Sequence, residues 1–432
     1  MSEACLEWTP GGYQVRVGEK VTRPFKKLLP FRDSTEDEFW KTLEALGLPR
    51  EEVKKAWFKR DIWREWNPLL WVGKNPKLFS LYMFHLNRWV QRDWITRKTV
   101  FLVGLSAYSP NPQNLFLRGP SSLGKTYVTL QTLKYFPAED VWTLGGLSPT
   151  ALAHDYGRLV GPGGVEVSKG EKPPPEAKYV INLQGKILVF LEAPPPETYR
   201  RLYPILSHDK QEITYKFTDR SRKGGLHTRT VYVQGWPATI WLSTETQYIE
   251  ELATRGITLT PETGKQKYEE AIALQGRQLA FPWHYENPTS LVSLLSQNLE
   301  DLKGKIGGFI PVLPYGRELA TCYPHNLPRD MRDFQKLSSL IQQCAYLHFW
   351  QRPRLEGVET EGKNVFIATL ADFEMALEVF TEVIETTRWG LAGHVVDFHR
   401  HVMIPLAQNE GGILMDWVVD EYAKVYETPK SR

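Results

Sequence analysis

Residues 115–136, LFLRGPSSLGKTYVTLQTLKYF, set a short apolar strand, a glycine-bounded loop and a helical pattern in immediate succession. Gly119, Gly124, Lys125 and Thr126 match G-x-x-x-x-G-K-[ST] in full, with Pro120, Ser121, Ser122 and Leu123 between the glycines. The order matters more than the motif, because a loop of this kind binds phosphate only between the end of a strand and the start of a helix. Leu115, Phe116 and Leu117 supply the strand, and Val128, Leu130 and Leu133 suit one buried helix face. The glycines let the backbone turn tightly against an anion, and the free N–H groups of the helix start favour negative charge. Lys125 is placed to reach β- and γ-phosphates, and Thr126 to set its hydroxyl on Mg²⁺. ATP and Mg²⁺ are therefore the expected ligands, and an α/β core the expected fold.

A chain of 432 residues exceeds one ordinary core, so two or three domains are expected. The net charge of +3 neither demands nor excludes nucleic acid, and only a local patch argues for it. Cys5, Cys322 and Cys344 lie far apart, without paired zinc spacing, which fits a reducing compartment. No apolar run reaches membrane-spanning length and no signal-peptide pattern opens the sequence. The expectation is a cytoplasmic protein with no membrane partner. Seven of the fifteen tryptophans fall between Trp40 and Trp94. Core packing explains them better than nucleobase stacking.

Along the chain, residues 1–33 read as irregular, and 34–46, 50–66 and 78–90 read as helices. Residues 141–144 read as a strand, and the Gly-, Pro- and charge-rich segment 157–178 as an exposed loop. In 186–192, KILVFLE, an apolar strand ends in an acid, and ligands of α/β sheets bind at such strand ends. Glu192 fits either metal support or activation of the attacking water, the second being preferred. Residues 213–218 and 228–233 alternate as two strands around a basic tip containing Arg220, Arg222, Lys223 and His227. Residues 238–243 form another strand ending in Ser243, Thr244 and Thr246, with Arg255 shortly afterwards. From about 285 onward the pattern is mostly helical, including a helix opened by Arg329 and Arg332, one capped near Thr369, and an amphipathic helix over 413–426. His394, Asp397, His399 and His401 complete no recognised metal-ligand spacing.

Taken in order, these features resemble the hexameric AAA+ helicases of the minichromosome-maintenance and superfamily-3 groups. They are most similar to the helicase-like ATPase found beside primases in replication modules of mobile elements. The words LRGPSSLGKTYV, KILVFLEAPPPET, LSHDK and PRDMRDFQKLSSLI carry the likeness, over about residues 75–390. The resemblance implies a central parallel sheet flanked by helices over 75–285. It also implies a helical lid over 286–390, an N-terminal helical module over 1–74, and a partial winged-helix-like end over 391–432. It implies that Thr244 acts as first sensor, Arg255 as a finger reaching a neighbour's nucleotide, and Arg332 as second sensor. The 219–227 tip then resembles a DNA-gripping hairpin, and 157–184 a second channel insertion. The implied activity is ATP-driven translocation on, or unwinding of, single-stranded or forked DNA by a hexameric ring, with a primase as a possible replication partner. The alternatives are a DNA-stimulated loader that does not unwind and a protein-directed remodeller. The chain departs from the family in lacking an Asp before Glu192.

Overall fold

The computed structural model describes residues 4–9, 12–17, 20–21, 72–145, 158–161, 165–167, 178–192, 211–219, 227–244, 256–286, 290–389, 398–407 and 415–425. The chain divides into two compact units, residues 1–71 and 72–432. In the first, β1 (Ala4–Thr9), β2 (Gly12–Val17) and β3 (Lys20–Val21) form an antiparallel meander, with Thr9 opposite Gly12 and Val17 opposite Lys20. This corrects the reading of residues 1–33 as irregular in its first part; residues 22–33 lie outside the described residues. Pro10-Gly11 and Gly18-Glu19 are turn chemistry between alternating strands. The helices expected over 34–66 lie outside the described residues.

The second unit opens with α1 (Leu78–Leu86) and α2 (Trp94–Ser106). Buried residues run almost continuously from Thr96 to Ser106 in α2, as in a helix packed on several sides. The parallel sheet is built from β4 (Asn114–Arg118), β5 (Val141–Leu144), β8 (Ile187–Phe190), β11 (Ala238–Ser243) and β12 (Ile257–Leu259). Its order is β12-β4-β11-β8-β5, and every neighbouring pair is parallel. All positions of β4, β8 and β12 are buried, which is why Leu115, Phe116 and Leu117 and the whole of Ile187–Phe190 read as apolar runs, while β12, three residues with Thr258 at its centre, gives no such run. After β4 the chain forms α3 (Lys125–Leu133) and reaches the far edge as β5. It then works back through β8 and β11 before crossing to β12. The strand order thus reverses around β4, and the loop after β4 sits at that switch point.

Two insertions build a second sheet, ordered β6-β7-β10-β9. β6 (Arg158–Val160) and β7 (Lys178–Asn182) come from the segment between β5 and β8. β9 (Glu212–Asp219) and β10 (His227–Gln234) come from the segment between β8 and β11. β7 pairs in parallel with β10, so the two insertions form one body. The expected loop over 157–178 is corrected in part: its beginning and end are strands. The paired strands around 219–227 are present as an antiparallel ladder.

The face of the parallel sheet carrying Phe116, Leu144, Leu188, Phe190 and Trp241 shares a core with Ile181, Leu183, Val231 and Val233 of the inserted sheet and its edge. Trp241 stacks on Phe190 with ring centroids 3.7 Å apart and planes 1° from parallel, and on Phe116 at 6.1 Å. Its buried indole N–H donates to Thr239 Oγ1 at 2.7 Å, and that hydroxyl donates to Asn114 Oδ1 at 2.7 Å. No polar atom of the stack is stranded, so its burial is favourable throughout. The other face, with Leu115, Leu117, Ile240 and Leu242, turns toward α2, which packs on both β4 and β11.

After β12 come α4 (Lys265–Ala280), α5 (Ser290–Ile306), β13 (Phe309–Val312), α6 (Gly316–Cys322), α7 (Asp330–Leu347), β14 (Arg354–Thr360), β15 (Lys363–Ile367), α8 (Leu370–Trp389) and α9 (Met415–Val425). The reading of this part as mostly helical holds for its helices, but it missed a three-stranded sheet, β13-β15-β14. Glu361 and Gly362 both have positive φ, 53° and 70°, as a two-residue hairpin turn demands. α7 and α8 pack together and against α2, and α8 also packs on β12. Among the described residues no helix is long and apolar enough to cross a membrane.

Asp140, just before β5, ties α5 to the sheet. Its buried carboxylate accepts from Lys303 at 2.6 Å, Lys186 at 2.9 Å and Tyr108 at 3.0 Å. Burial pushes its pKa up, but the hydrogen bonds from Lys303 and Lys186 outweigh that and hold it below the ordinary value. A depressed carboxyl stabilises the fold above its unfolded pKa, and that stability is lost as pH falls through the folded one. Asp140→Asn is expected to lower unfolding free energy at pH 7 by about 2 kcal/mol. In denaturant titrations the gap from wild type should close below about pH 4. Trp241→Ala should lower stability by about 3–5 kcal/mol in the same assay. It should cost clearly more than Trp142→Ala, since Trp142 is only partly buried.

Candidate nucleotide-binding site

The strand registers bring three chain segments to one edge. Arg118 pairs with Ser243, so Gly119 is level with Thr244. Trp241 pairs with Phe190, so two residues further on Glu192 is level with Ser243. The resulting open cleft, about 590 Å³, is lined by Ser121, Ser122, Gly124, Lys125, Thr126 and Tyr127 of the loop and α3, with Leu191, Glu192, Leu242, Ser243 and Thr244. Glu192, Thr244 and Thr126 are exposed in it, so their oxygens are free of the apolar core beneath.

The loop has the backbone its composition anticipates. Gly119 has φ 139° and Gly124 φ 79°, and Ser122 joins them in the left-handed region at φ 67°. Alternation of this kind turns successive N–H groups to one side and makes a concave anion site. A side chain at Gly119 would also collide with Leu123, whose Cδ1 lies 2.9 Å from the position of an added Cβ. Lys125 is the first residue of α3 and is nearly buried. Its ammonium donates to the carbonyls of Gly119 and Pro120, each at 2.7 Å, which holds it beneath the loop. Desolvation keeps its pKa below the usual lysine value.

A second cleft of about 350 Å³ adjoins the first and shares Ser122, Gly124 and Tyr127 with it. Its walls are Trp89, Val90, Gln91 and Asp93 from the α1–α2 connection, and Lys267, Tyr268, Ala271, Leu274, Gln275 and Gln278 from α4. The buried Arg97 shapes the connection. It donates to Asn87 Oδ1 at 2.6 Å and to the Val90 carbonyl at 3.2 Å, and lies 4.1 Å from the Trp94 ring centroid. Tyr127 and Tyr268 are about half exposed at the mouth. Sequence reasoning missed this cleft. Its residues are mostly apolar or amide side chains, with the Asp93–Lys267 pair, from segments about 175 residues apart, and no motif marks them.

The structure thus brings together the phosphate loop, Glu192 and Thr244. Arg332 stands exposed at the start of α7 and lines neither cleft. Arg329, one turn before Asp333, pairs with it at 3.5 Å. Arg255, Arg220, Arg222, Lys223 and Thr246 lie outside the described residues. His227 begins β10 opposite Asp219, and only its backbone is described. No group of three or more His, Cys, Asp or Glu that could hold a metal occurs among the described residues. His394 and Asp397 lie outside them.

No family model matches the chain, and no curated protein matches it. Among solved structures it is similar to one described as a "putative ATPase" from Cytophaga hutchinsonii ATCC 33406. That likeness is at 11% identity and a TM-score of 0.37, covering 76% of this chain and 94% of that one. At so low a score the likeness carries no argument, and the assignment of a P-loop α/β core rests on strand order and loop geometry.

Proposed function

We propose that this chain binds and hydrolyses ATP. The observation that carries the reading is the convergence, at the ends of three adjacent parallel strands, of a phosphate loop, a strand-end carboxylate and a strand-end hydroxyl. Phosphoryl transfer needs positioning and charge stabilisation more than covalent chemistry, and these groups supply both. The loop amides cradle the β- and γ-phosphates, and Lys125 exchanges loop carbonyls for phosphate oxygens. Thr126, with Glu192 nearby, presents the hard oxygen donors that suit Mg²⁺, which neutralises phosphate charge when bound. Glu192 orients the attacking water and takes its proton, and Thr244 hydrogen-bonds the γ-phosphate or that water. The second cleft takes the base: Trp89, Tyr127 and Tyr268 offer flat apolar surface, and Gln91, Gln275 and Gln278 offer uncharged donors and acceptors.

We propose further that the chain acts as a head-to-tail ring moving along DNA, the finer activity implied by the resemblance. No arginine lines either cleft among the described residues, so the positive charge for the transition state is assigned to Arg255 from a neighbouring copy. Arg332, outside both clefts of its own chain, is assigned to the neighbour's nucleotide as well. The β9–β10 hairpin supports a basic tip suited to gripping a phosphate backbone without reading sequence.

Lys125→Ala should abolish ATP turnover with the fold intact by circular dichroism; unchanged turnover would remove the reading. Glu192→Gln should keep ATP binding and slow hydrolysis by about a hundredfold or more. For the finer reading, Arg255→Ala alone should be inactive, and mixing it with Lys125→Ala subunits should restore part of the activity. Lys223→Ala with His227→Ala should spare basal ATPase while weakening binding to single-stranded DNA and flattening its salt dependence. Normal DNA affinity in that double variant would move the contact elsewhere or point to a protein substrate.

A further inference from the structure

Lys267, in the first turn of α4, is almost fully buried beside the phosphate loop. An ammonium has three protons, and this one has three acceptors. They are the Leu123 carbonyl at 3.1 Å, the Glu262 carbonyl at 2.8 Å and Asp93 Oδ2 at 2.7 Å. Asp93 is itself buried, with a left-handed backbone at φ 54°. Its Oδ1 accepts the Glu262 N–H at 2.8 Å, and its own N–H donates to Glu262 Oε2 at 3.2 Å. Arg92 extends the network, donating to Glu262 Oε1 at 2.5 Å and to Glu270 on α4 at 3.2 Å.

One of these contacts reaches the crest of the loop. Leu123 lies between Ser122 and Gly124, two left-handed residues that line the phosphate cleft. The Leu123 carbonyl and the Gly124 N–H belong to one planar trans peptide and point in opposite directions. Holding the oxygen on the α4 side therefore turns the Gly124 N–H away from α4. Glycine permits that peptide to rotate at little steric cost, so nothing in the local sequence locks it. The lock comes from Lys267.

We propose that Lys267 is a positioning residue for the nucleotide: through Leu123 it orients the loop amides, and through Asp93 it joins them to the 89–93 wall of the neighbouring cleft. The inference rests on the ATP-binding reading above. Lys267 need not touch ATP. It pre-organises the loop, so its loss falls on affinity more than on the chemical step. The pair also makes the two clefts one unit, because Lys267, Asp93 and Leu123 all line the second, and Leu123 sits in the loop between Ser122 and Gly124, which line both.

The test uses the full chain, with Mg²⁺-ATP as the probe and Lys267→Met as the variant. Its dissociation constant and KM should rise about tenfold or more, as for a displaced positioning group, with kcat changed only a few-fold. Lys267→Met also leaves Asp93 buried without its partner and should lower the melting temperature. The double variant Lys267→Met with Asp93→Asn removes that charge. It should regain much of the lost thermal stability while affinity stays weak. Recovery of affinity together with stability would reduce Lys267 to a neutraliser of Asp93 and overturn the proposal. So would binding by Lys267→Met within about twofold of wild type, less than 0.5 kcal/mol. Wild-type protein that binds no ATP would instead sink the ATPase reading, and this inference with it.

Discussion

Hydrogen bonding of β11 between β4 and β8 decides where everything else can be. The phosphate loop and the strand that ends in Glu192 are not neighbours in the sheet. They stand one strand apart because residues 238–243 insert between them. Parallel pairing then makes the strand ends a matter of register alone. Ser243 opposite Arg118 and Trp241 opposite Phe190 set a hydroxyl and a carboxylate level with the loop. A slip of one residue would reverse the faces of β11, sending Trp241 toward α2 and Ile240 into the aromatic core. The stack of Phe116, Trp241 and Phe190 is thus a register lock as well as a packing unit.

The same stack explains how two long insertions are accommodated. A sheet buried on both faces needs a cover on each. α2 covers one side, and the inserted β6-β7-β10-β9 sheet contributes Ile181, Val231 and Val233 to the core of the other. The insertions are therefore part of the hydrophobic core at their bases. The β9–β10 ladder pairs without a break from Glu212 opposite Gln234 to Asp219 opposite His227, so the segment between them is joined to strands that share the core of the parallel sheet.

On the opposite side of the loop the organising forces are polar. Asp93, Lys267, Glu262 and Arg92 bury or half-bury charge where α4 meets the α1–α2 connection. Such pairs add little net stability over an apolar isostere, yet losing one partner is costly. Their use beside the loop fits a demand for direction: an ammonium fixes three acceptors in space, which apolar packing does not do.

Local chemistry was legible in the residues themselves. The loop, β4, β5, β8, β11 and the β9–β10 pair followed from apolar runs, alternation and glycine spacing, and the strand-end and helix-start places of Lys125, Thr126, Glu192 and Thr244, which share one cleft, were expected from the same patterns. Short or exposed strands were not legible. β6 and β12 have three residues each, β13 carries Pro311, and β14 is exposed along its length, so none gives a clear strand signal. The N-terminal meander was legible but passed over: Leu6 and Trp8 alternate with Glu7 and Thr9, and Tyr13, Val15 and Val17 with Gln14 and Arg16. The second cleft and the Lys267–Asp93 pair were beyond reach for a different reason. Pairing of residues 174 positions apart depends on the crossing from β11 to β12 and on where α4 then packs, and no local pattern encodes that. The sequence by itself determined which residue types stand at the strand and helix ends; the tertiary structure decided which of them share a cleft and which charged groups are buried beside it, because proximity is set by long-range contacts and residue type is not.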